Sequence, residues 1–310
     1  MLRFATLAVK TQLNVHDLNN EAVAGNVTDI RIMDFLNEHG ERDEAPAVSG
    51  RMLKHWHYEA MRKLSLEQKI PLCDSCKIGE PVRPATLTAD HKLSHQEAID
   101  EGTEEVIKKC AVCDIHGFLA AIGTTSERRS SRAMFSWLMP VISIPSKQVI
   151  HSRVKSGADF KEESLKSQRP FNKSYASGIY AFVSALDVDR IGLIELNLGG
   201  TNPYAVDNDN GRKDRIKGAI EAYRFMLSGQ IGASLSHAVP HGNPVEILVA
   251  YSETGPLPFP VSPMYSDYIP KTVGLMPQNT TLLYWGSESP QGVNKKDTIN
   301  EIFTELLGKV

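Results

Sequence analysis

The sequence lacks any long run of apolar residues. None of its 310 residues belongs to an apolar stretch near the roughly 18 residues that a membrane-spanning helix needs. The apolar start after Arg3 is interrupted by Lys10, which is too early for a signal peptide. Internal repeats and low-complexity tracts are also missing. We therefore expect a globular, cytoplasmic protein that makes no contact with a membrane.

An excess of positive charge is missing as well. Lysine and arginine together number 34 against 37 aspartate and glutamate residues, which gives a formal net charge of −3 at pH 7. No overall positive field then attracts the chain to a nucleic acid or to an anionic membrane. Contact with a polyanion would require local basic patches.

Hydrophobic patterning predicts an α+β fold. The sequence of predicted elements is strand, helix, strand, strand, helix, strand, which is the ferredoxin-like plan with insertions between elements. The predicted strands are residues 4–15, 133–150, 178–197 and 245–251, and the two helices of this plan are residues 49–66 and 212–227. A third predicted helix, residues 94–109, lies in an insertion. Residues 16–47 are predicted to form a long loop, and residues 73–113 an insertion.

The stretch "VSGRMLKHWHYEAM", residues 48–61, predicts a helix with Ser49 as its N-cap. At helical spacing one face is apolar and is expected in the core: Leu53, Trp56, Ala60 and Leu64. The opposite face is basic and aromatic: Arg51, Lys54, His55, Tyr58 and Arg62. That face is either solvated or binds phosphate beside the positive end of the helix dipole. His55 and His57 lie about 160° apart around the helix and cannot share a metal ion, so His57 is expected at the edge of the core.

The four cysteines form two CxxC pairs, Cys73 with Cys76 and Cys110 with Cys113. Each pair can place two thiolates on one tetrahedral zinc ion, and both pairs flank the insertion. The first interpretation is therefore a structural zinc ion that closes the base of the insertion, and the alternative is four reduced cysteines. Substitute ligands would be His91, His95 or His116.

Two further segments are locally basic. In "TTSERRSSRAMF", Arg128, Arg129 and Arg132 stand among hydroxyl groups, as phosphate contacts do. The segment 151–176 has six basic residues against three acidic ones and almost no apolar periodicity. Its basic residues are Arg153, Lys155, Lys161, Lys166, Arg169 and Lys173, with Phe160 and Phe171 as stacking candidates. Either segment can be a solvated loop, and the second can also be a hairpin that becomes ordered on a partner.

Together these fragments resemble the CRISPR-associated backbone subunit of type I Cascade complexes, the DevR-like family, and most closely its subtype I-A branch. The resemblance spans nearly the whole chain and rests on five fragments in the right order. They are "LNNEAVAGN" (18–26), "VSGRMLKHWHYEAM" (48–61), "DIHGFLA" (114–120), "YASGIYAF" (175–182) and "RKDRIKGAIEAYRFMLSGQIGASLSHAVP" (212–240).

The resemblance implies an RRM-like palm with an inserted finger and a thumb hairpin. Several copies would polymerise along one CRISPR RNA and present it to target DNA, together with other Cascade subunits and without cutting. The palm would comprise residues 1–72, 114–150 and 177–310, the zinc-binding finger residues 73–113, and the thumb residues 151–176. In that family the first loop and first helix hold the RNA backbone, which points here to Asn19, Asn26, Ser49, Arg51, Lys54 and His55. The basic patches add Arg128, Arg129, Arg153, Lys155, Arg169 and Lys173.

Two enzymatic alternatives remain open. Related backbone subunits of type III complexes cut target RNA with an aspartate of the first long loop, where this chain has Asp29, Asp34 and Asp43. A metal-dependent hydrolase that uses the cysteines is the second alternative. Four thiolates would fill a tetrahedral site and leave no position for water, which favours a structural metal.

Overall fold

A computed structural model describes residues 1–18, 20–24, 27–142, 144–153, 169–199, 203–207, 211–227 and 239–310. The fold combines a central mixed β-sheet with several helices. The strands are β1 (Phe4–His16), β2 (Asn20–Ala24), β3 (Val27–Ile30), β4 (Ile32–Leu36), β5 (Arg42–Pro46), β6 (Thr86–Leu87), β7 (Leu93–Ser94), β8 (Phe118–Ile122), β9 (Thr125–Arg129), β10 (Ala133–Phe135), β11 (Met139–Pro140), β12 (Ser146–Arg153), β13 (Arg169–Asp187), β14 (His241–Ser252), β15 (Thr281–Trp285) and β16 (Asn294–Lys295). The helices are α1 (Gly50–Gln68), α2 (Asp74–Ile78), α3 (Gln96–Lys109), α4 (Ala111–His116), α5 (Arg212–Leu227), α6 (Tyr268–Leu275) and α7 (Ile299–Gly308).

Strand β1 lies in the middle of the main sheet. It pairs antiparallel with β13 on one side and with β14 on the other, so that Phe4 is opposite both Asp187 and Ser252. Beyond β14 the sheet continues to β15, and β10, β11 and β12 pair with successive parts of β13. Among the described residues, the parallel pairs of the sheet are short: β3 beside β13 and β16 beside β15. The two longest strands are thus held from both sides.

The sheet is buried on both faces. Along β1, Leu7 and Val9 belong to the larger apolar core, whereas Phe4 and Ala8 belong to a second, smaller core. Because alternate residues of a strand point to opposite faces, β1 needs apolar side chains on both. Helices α1 and α5 pack on each other within the larger core, and α6 closes the smaller one with Tyr268.

Helix α1 forms where the sequence predicts it. It begins at Gly50, and the Ser49 hydroxyl accepts a hydrogen bond from the Met52 N–H at 3.3 Å. The predicted core face is confirmed, since the side chains of that face are buried: Leu53, Trp56, Ala60 and Leu64. A side chain at Gly50 would clash, because its Cβ would lie 2.5 Å from the Phe135 carbonyl oxygen and 2.8 Å from that of Ser136. The start of α1 is therefore pressed directly against the backbone that follows β10.

The predicted long loop at residues 16–47 is wrong in part. Its residues form two antiparallel hairpins, β2 with β3 and β4 with β5. The turn of the second hairpin has Gly40 at φ +77°, and Arg42 donates a 2.6 Å hydrogen bond to Asp34 across it. These strands are short and largely polar, so apolar alternation, the usual sign of a strand, is weak in this segment.

The other boundaries also shift. The strand predicted over 178–197 is the second half of β13, which begins at Arg169 and ends at Asp187. Residues 195–197 form a 3₁₀ turn instead of a strand. Strands β12 and β13 pair antiparallel from Ser146 opposite Ala176 to Arg153 opposite Arg169, while residues 154–168 lie outside the described residues. The helix predicted over 94–109 is α3, which is interrupted at Gly102, where φ is +81°. No helix of the described part has both the length and the apolarity needed to cross a membrane.

A buried histidine predicts how stability depends on pH. His16 is fully buried beside Tyr180, 2.7 Å from its hydroxyl, and burial lowers the pKa of His16 from 6.5 to about 4. As the pH falls through this interval, the unfolded chain binds a proton that the folded chain excludes, so the free energy of unfolding decreases.

We expect the free energy of unfolding of the wild type to fall more steeply below pH 6.5 than that of His16→Gln, by about 1 kcal/mol per pH unit. Urea unfolding of both proteins between pH 7 and pH 5 measures this difference. The exposed His39 provides the control, because His39→Gln should retain the wild-type slope. Equal slopes for all three proteins would contradict the assignment.

Candidate nucleic-acid interface and metal centre

The four cysteines meet at one point between the two short helices α2 and α4. Their sulfur atoms all lie within 4.8 Å of one another, and Cys113 Sγ is 3.8 Å from the sulfurs of both Cys73 and Cys76. Cys73 is partly exposed and the other three are buried. No other group of three or more metal-ligating side chains was found among the described residues.

Local structure positions these sulfurs. Cys73 and Cys110 are the N-cap residues of α2 and α4, so within each CxxC pair the second cysteine lies in the first turn of the helix. The Ala111 N–H donates to the Pro71 carbonyl oxygen at 2.9 Å, which ties the two segments together. Hydrogen bonds from the neighbouring thiols lower the pKa of Cys73, whereas burial foremost raises the pKa of Cys113. The cluster therefore favours one thiolate, and a cation is required before the other thiols lose their protons.

This arrangement can hold a metal ion. A zinc ion with Zn–S bonds of about 2.3 Å requires sulfur atoms about 3.8 Å apart, and two of the pairs have this separation. Two of the three predicted substitute ligands have other partners: the His116 ring bonds to His57, and His95 Nδ1 lies 2.6 Å from the Pro84 carbonyl oxygen. The third, His91, does not belong to the cluster. The donor set is then four sulfurs, as the spacing predicts.

A buried carboxylate next to the cluster was not predicted. Asp114 follows Cys113 directly and has no solvent exposure. It accepts a 2.9 Å hydrogen bond from Arg215 on α5, a 2.5 Å bond from Arg129 on β9, and bonds of 3.0 and 2.9 Å from the Gly192 N–H. Arg215 also donates to the carbonyl oxygens at the end of α3, those of Ile107 and Lys108. Asp114 thus links α4 to α5, to β9 and to the loop after β13, and Arg215 adds the end of α3.

Arg129, a predicted RNA-binding residue, is buried in the fold. Its guanidinium group is buried and donates to Asp114, to the carbonyl oxygens of Leu193 and Arg190, and to Glu195. Arg132 is buried as well and pairs with Glu195. The neighbouring Arg128 is exposed on β9. Successive side chains of a strand point to opposite faces, so Arg129 faces the protein and Arg128 faces solvent. The loop considered from the sequence does not predict this alternation.

The basic face of α1 is partly covered. Arg51 and His55 are exposed, and Lys54 is half-buried. Tyr58, expected on the polar face, is buried, because the segment after α2 packs over it and its hydroxyl donates to the Glu80 carbonyl oxygen at 3.5 Å. Arg62 pairs with Glu59 on the same helix at 3.0 Å. The surface available to a ligand is thus confined to the first two turns.

His57 is buried, as expected of a core residue, and it does not face a metal. Its Nε2 lies 2.9 Å from the Ala219 carbonyl oxygen and its Nδ1 lies 2.8 Å from His116 Nε2. Burial lowers the pKa of His57 to about 4, so both rings of the pair are favoured in the neutral form near pH 7. The pair joins α1, α4 and α5 within the core.

Three of the remaining predicted residues lie in the β12–β13 ladder: Arg153, Arg169 and Lys173. Lys173 forms an ion pair with the buried Asp17. Arg153 and Arg169 are opposite each other in that ladder. Three predicted RNA-binding residues lie outside the described residues: Asn19, Asn26 and Lys155.

The aspartates of the first loop have protein partners. Asp29 accepts hydrogen bonds from Ser174 at 2.9 Å and from Gln148 at 3.2 Å. Asp34 pairs with Arg42 at 2.6 Å, and Asp43 accepts the N–H of Glu44. Asp29 and Asp34 therefore help to hold the hairpins, and the three carboxylates form no metal-ligating group among the described residues.

Comparison with known proteins identifies the family. The family model described as "CRISPR-associated negative auto-regulator DevR/Csa2" matches residues 7–273, most of the chain. The chain belongs to the DevR/Csa2 family. Among its relatives, the "CRISPR-associated protein Cas7/Cst2/DevR" of Methanocaldococcus jannaschii is 29% identical over 99% of this chain and 98% of that protein.

Two further similarities extend the DevR/Csa2 assignment. The "CRISPR-associated aCascade subunit Cas7/Csa2 2" of Saccharolobus solfataricus is 24% identical over 96% of this chain and 98% of that protein. A chain of a solved "CRISPR RNA-guided surveillance complex" has a TM-score of 0.54 at 11% identity, with 99% of both chains covered. A "pre-nicking" form of such a complex gives a TM-score of 0.57 at 10% identity, again with 99% of both chains covered. The structural match shows that the fold is shared.

The cysteine cluster predicts a tightly held metal ion. We expect one ion per chain in native metal analysis and a lower melting temperature after chelation. A cross-link that closes a loop of this size is worth about 3 to 4 kcal/mol, or about 5 °C in a protein of this size. Cys113→Ser should reproduce the loss and no longer respond to the chelator. A metal-free wild type with the same melting temperature in chelator would contradict this prediction.

The Asp114 network predicts a large effect of one buried charge. Asp114→Asn leaves Arg129 and Arg215 without their shared counter-charge, so we expect the free energy of unfolding to fall by about 3 to 5 kcal/mol. Chemical denaturation measures it. Asp214→Asn is the matched control, since Asp214 is exposed at the start of α5 and should change stability by less than about 0.5 kcal/mol. Equal effects at the two positions would refute the assignment.

Proposed function

We propose that this DevR/Csa2 protein is a non-catalytic CRISPR RNA-binding backbone subunit of a type I, Cascade-like complex. In this proposal several copies polymerise along one guide RNA, and other Cascade subunits join them. The observation that carries the proposal is the start of α1, formed by the exposed Arg51 and His55 and the half-buried Lys54, in a chain related over 99% of its length to a protein named Cas7/Cst2/DevR. The relative named as an aCascade subunit supports the subtype I-A assignment.

The order of the strands supports an RRM-like palm. In the sheet, β14, β1 and β13 are neighbours, with β10 to β12 beyond β13, and the crossing helices are α1 and α5. This is the strand–helix–strand–strand–helix–strand arrangement predicted from the sequence. The finger would be residues 73–113 and the thumb residues 151–176, which include the paired ends of β12 and β13.

The proposed mechanism is binding through the RNA backbone. Cationic side chains at the start of α1 contact phosphates, and the positive end of the helix dipole adds to the attraction. Phosphate contacts position a nucleic acid and carry no sequence information, so the bases of the guide stay free to pair with target DNA. The protein would act wherever the guide RNA is assembled, which we expect to be the cytoplasm.

Zinc is the metal that the four-cysteine site suits best. Four thiolates fill a tetrahedral coordination sphere, so the ion would fasten the base of the finger and leave no open position for a reacting water molecule. This supports a structural metal rather than a hydrolase. The partners found for Asp29, Asp34 and Asp43 likewise support binding over cleavage of RNA.

The basic start of α1 can be tested with Arg51→Ala combined with Lys54→Ala. We expect the affinity for guide RNA to fall about tenfold or more at low salt, equally for unrelated sequences, because only phosphate contacts are lost. Fluorescence anisotropy with several labelled RNAs over a range of salt concentrations measures this. Lys108→Ala, in which the lost lysine is paired with Glu104 and Glu105, should bind as the wild type does. An unchanged isotherm for the double variant would sink the assignment.

A further inference from the structure

A cavity of about 550 Å³ lies between α1 and the segment that follows α2. Its lining includes Lys54 from α1, Arg83 and His95 from the insertion, and His116 from the end of α4. The rest of the wall is apolar or backbone, apart from the buried Arg129, and no carboxylate belongs to the lining. The polar lining is therefore entirely basic.

Lys54 and Arg83 line this cavity without a carboxylate partner among the described residues. Within the described part of the chain, neither Lys54 nor Arg83 forms an ion pair or donates a hydrogen bond to a carboxylate. Glu59, five residues after Lys54 on the same helix, is already paired with Arg62. Burial, together with the charges of Arg83 and Arg51, lowers the pKa of Lys54 to about 8. Holding like charges together in a half-buried site is unfavourable, and an anion between them would reverse that cost.

Arg83 is held in place by an aromatic ring and not by a carboxylate. Its guanidinium group lies over the Tyr58 ring, 4.6 Å from the ring centre. Tyr58 is itself buried and bonded to the backbone of the same segment through the Glu80 carbonyl oxygen. His95 fixes the next residue through the Pro84 carbonyl oxygen. A preorganised guanidinium loses little freedom on binding an oxyanion, and its planar donors match two phosphate oxygens.

From this geometry we infer that Lys54 and Arg83 together bind one backbone phosphate of the RNA, so that the inserted finger contributes directly to the RNA-binding surface. The inference rests on the proposed function and adds Arg83 to it. Arg51 is exposed on the same part of α1 and extends the positive surface beyond the cavity. A row of cations suits a chain of phosphates better than a single free ion.

The test compares Lys54→Met, Arg83→Gln and the double variant in anisotropy titrations with labelled single-stranded RNA at several salt concentrations. Each single variant is expected to weaken binding several-fold to tenfold. The double variant should lower the slope of log affinity against log salt by about 0.7, which corresponds to one phosphate on a single strand. A reduction of about 1.4 would mean two separate phosphates and would overturn the shared contact.

The matched control is Lys63→Met, because Lys63 is an exposed lysine of the same helix that lies about 180° around the axis from Lys54. It should keep the wild-type affinity and slope. Arg83→Lys retains the charge but loses the planar fork, so it should keep the slope with reduced affinity. If Arg83→Gln lowers the melting temperature, Lys54→Met and Arg83→Lys still decide the matter.

The outcomes separate this inference from the proposed function. A wild type that does not bind RNA contradicts the proposed function itself. A wild type that binds, with Lys54→Met and Arg83→Gln identical to it in affinity and slope, contradicts only the finger contact. Inorganic phosphate alone is titrated in a parallel thermal unfolding series. The inference is overturned if phosphate stabilises the wild type but not Arg83→Gln while both proteins bind RNA equally well. That result would show a site for free phosphate.

Discussion

The structure depends on one buried carboxylate. Asp114 directly follows the last cysteine of the metal cluster, and it receives two guanidinium groups and a backbone N–H without any contact with water. A charge in that position is tolerated only when its partners are in place, so the surrounding elements must all be positioned together. Arg215 ties Asp114 and the end of α3 to α5, and Arg129 ties Asp114 to β9 and to the loop after β13. The insertion is therefore part of the core rather than an appendage.

Features with a regular spacing could be predicted from the sequence. The apolar stripe of α1 repeats with the helical period, and its four predicted core residues are buried. Each CxxC pair places its two cysteines around the start of a short helix, so their spacing is fixed locally. The four sulfur atoms lie together, as the two pairs predict. In both cases the information lies within a few neighbouring residues.

Features that depend on distant partners could not be predicted. Arg128 and Arg129 look equivalent in the sequence, and only the carboxylate of Asp114 across the fold distinguishes the buried one from the exposed one. Tyr58 lies on the polar side of α1 by spacing, yet the insertion covers it. The hairpins β2–β3 and β4–β5 are polar and short, so their pairing is fixed by tertiary contacts such as the bond from Ser174 to Asp29. Local patterns carry no record of such contacts.

The close approach at Gly50 has a consequence for assembly. With the backbone oxygens of Phe135 and Ser136 less than 3 Å from where a methyl group would stand, the helix start has no room to slide relative to the sheet. The height of the basic side chains above the sheet is then set by backbone contact and not by adjustable side-chain packing. If copies of this chain line up along an RNA strand, as proposed, each copy would present the start of α1 at the same height above its own sheet.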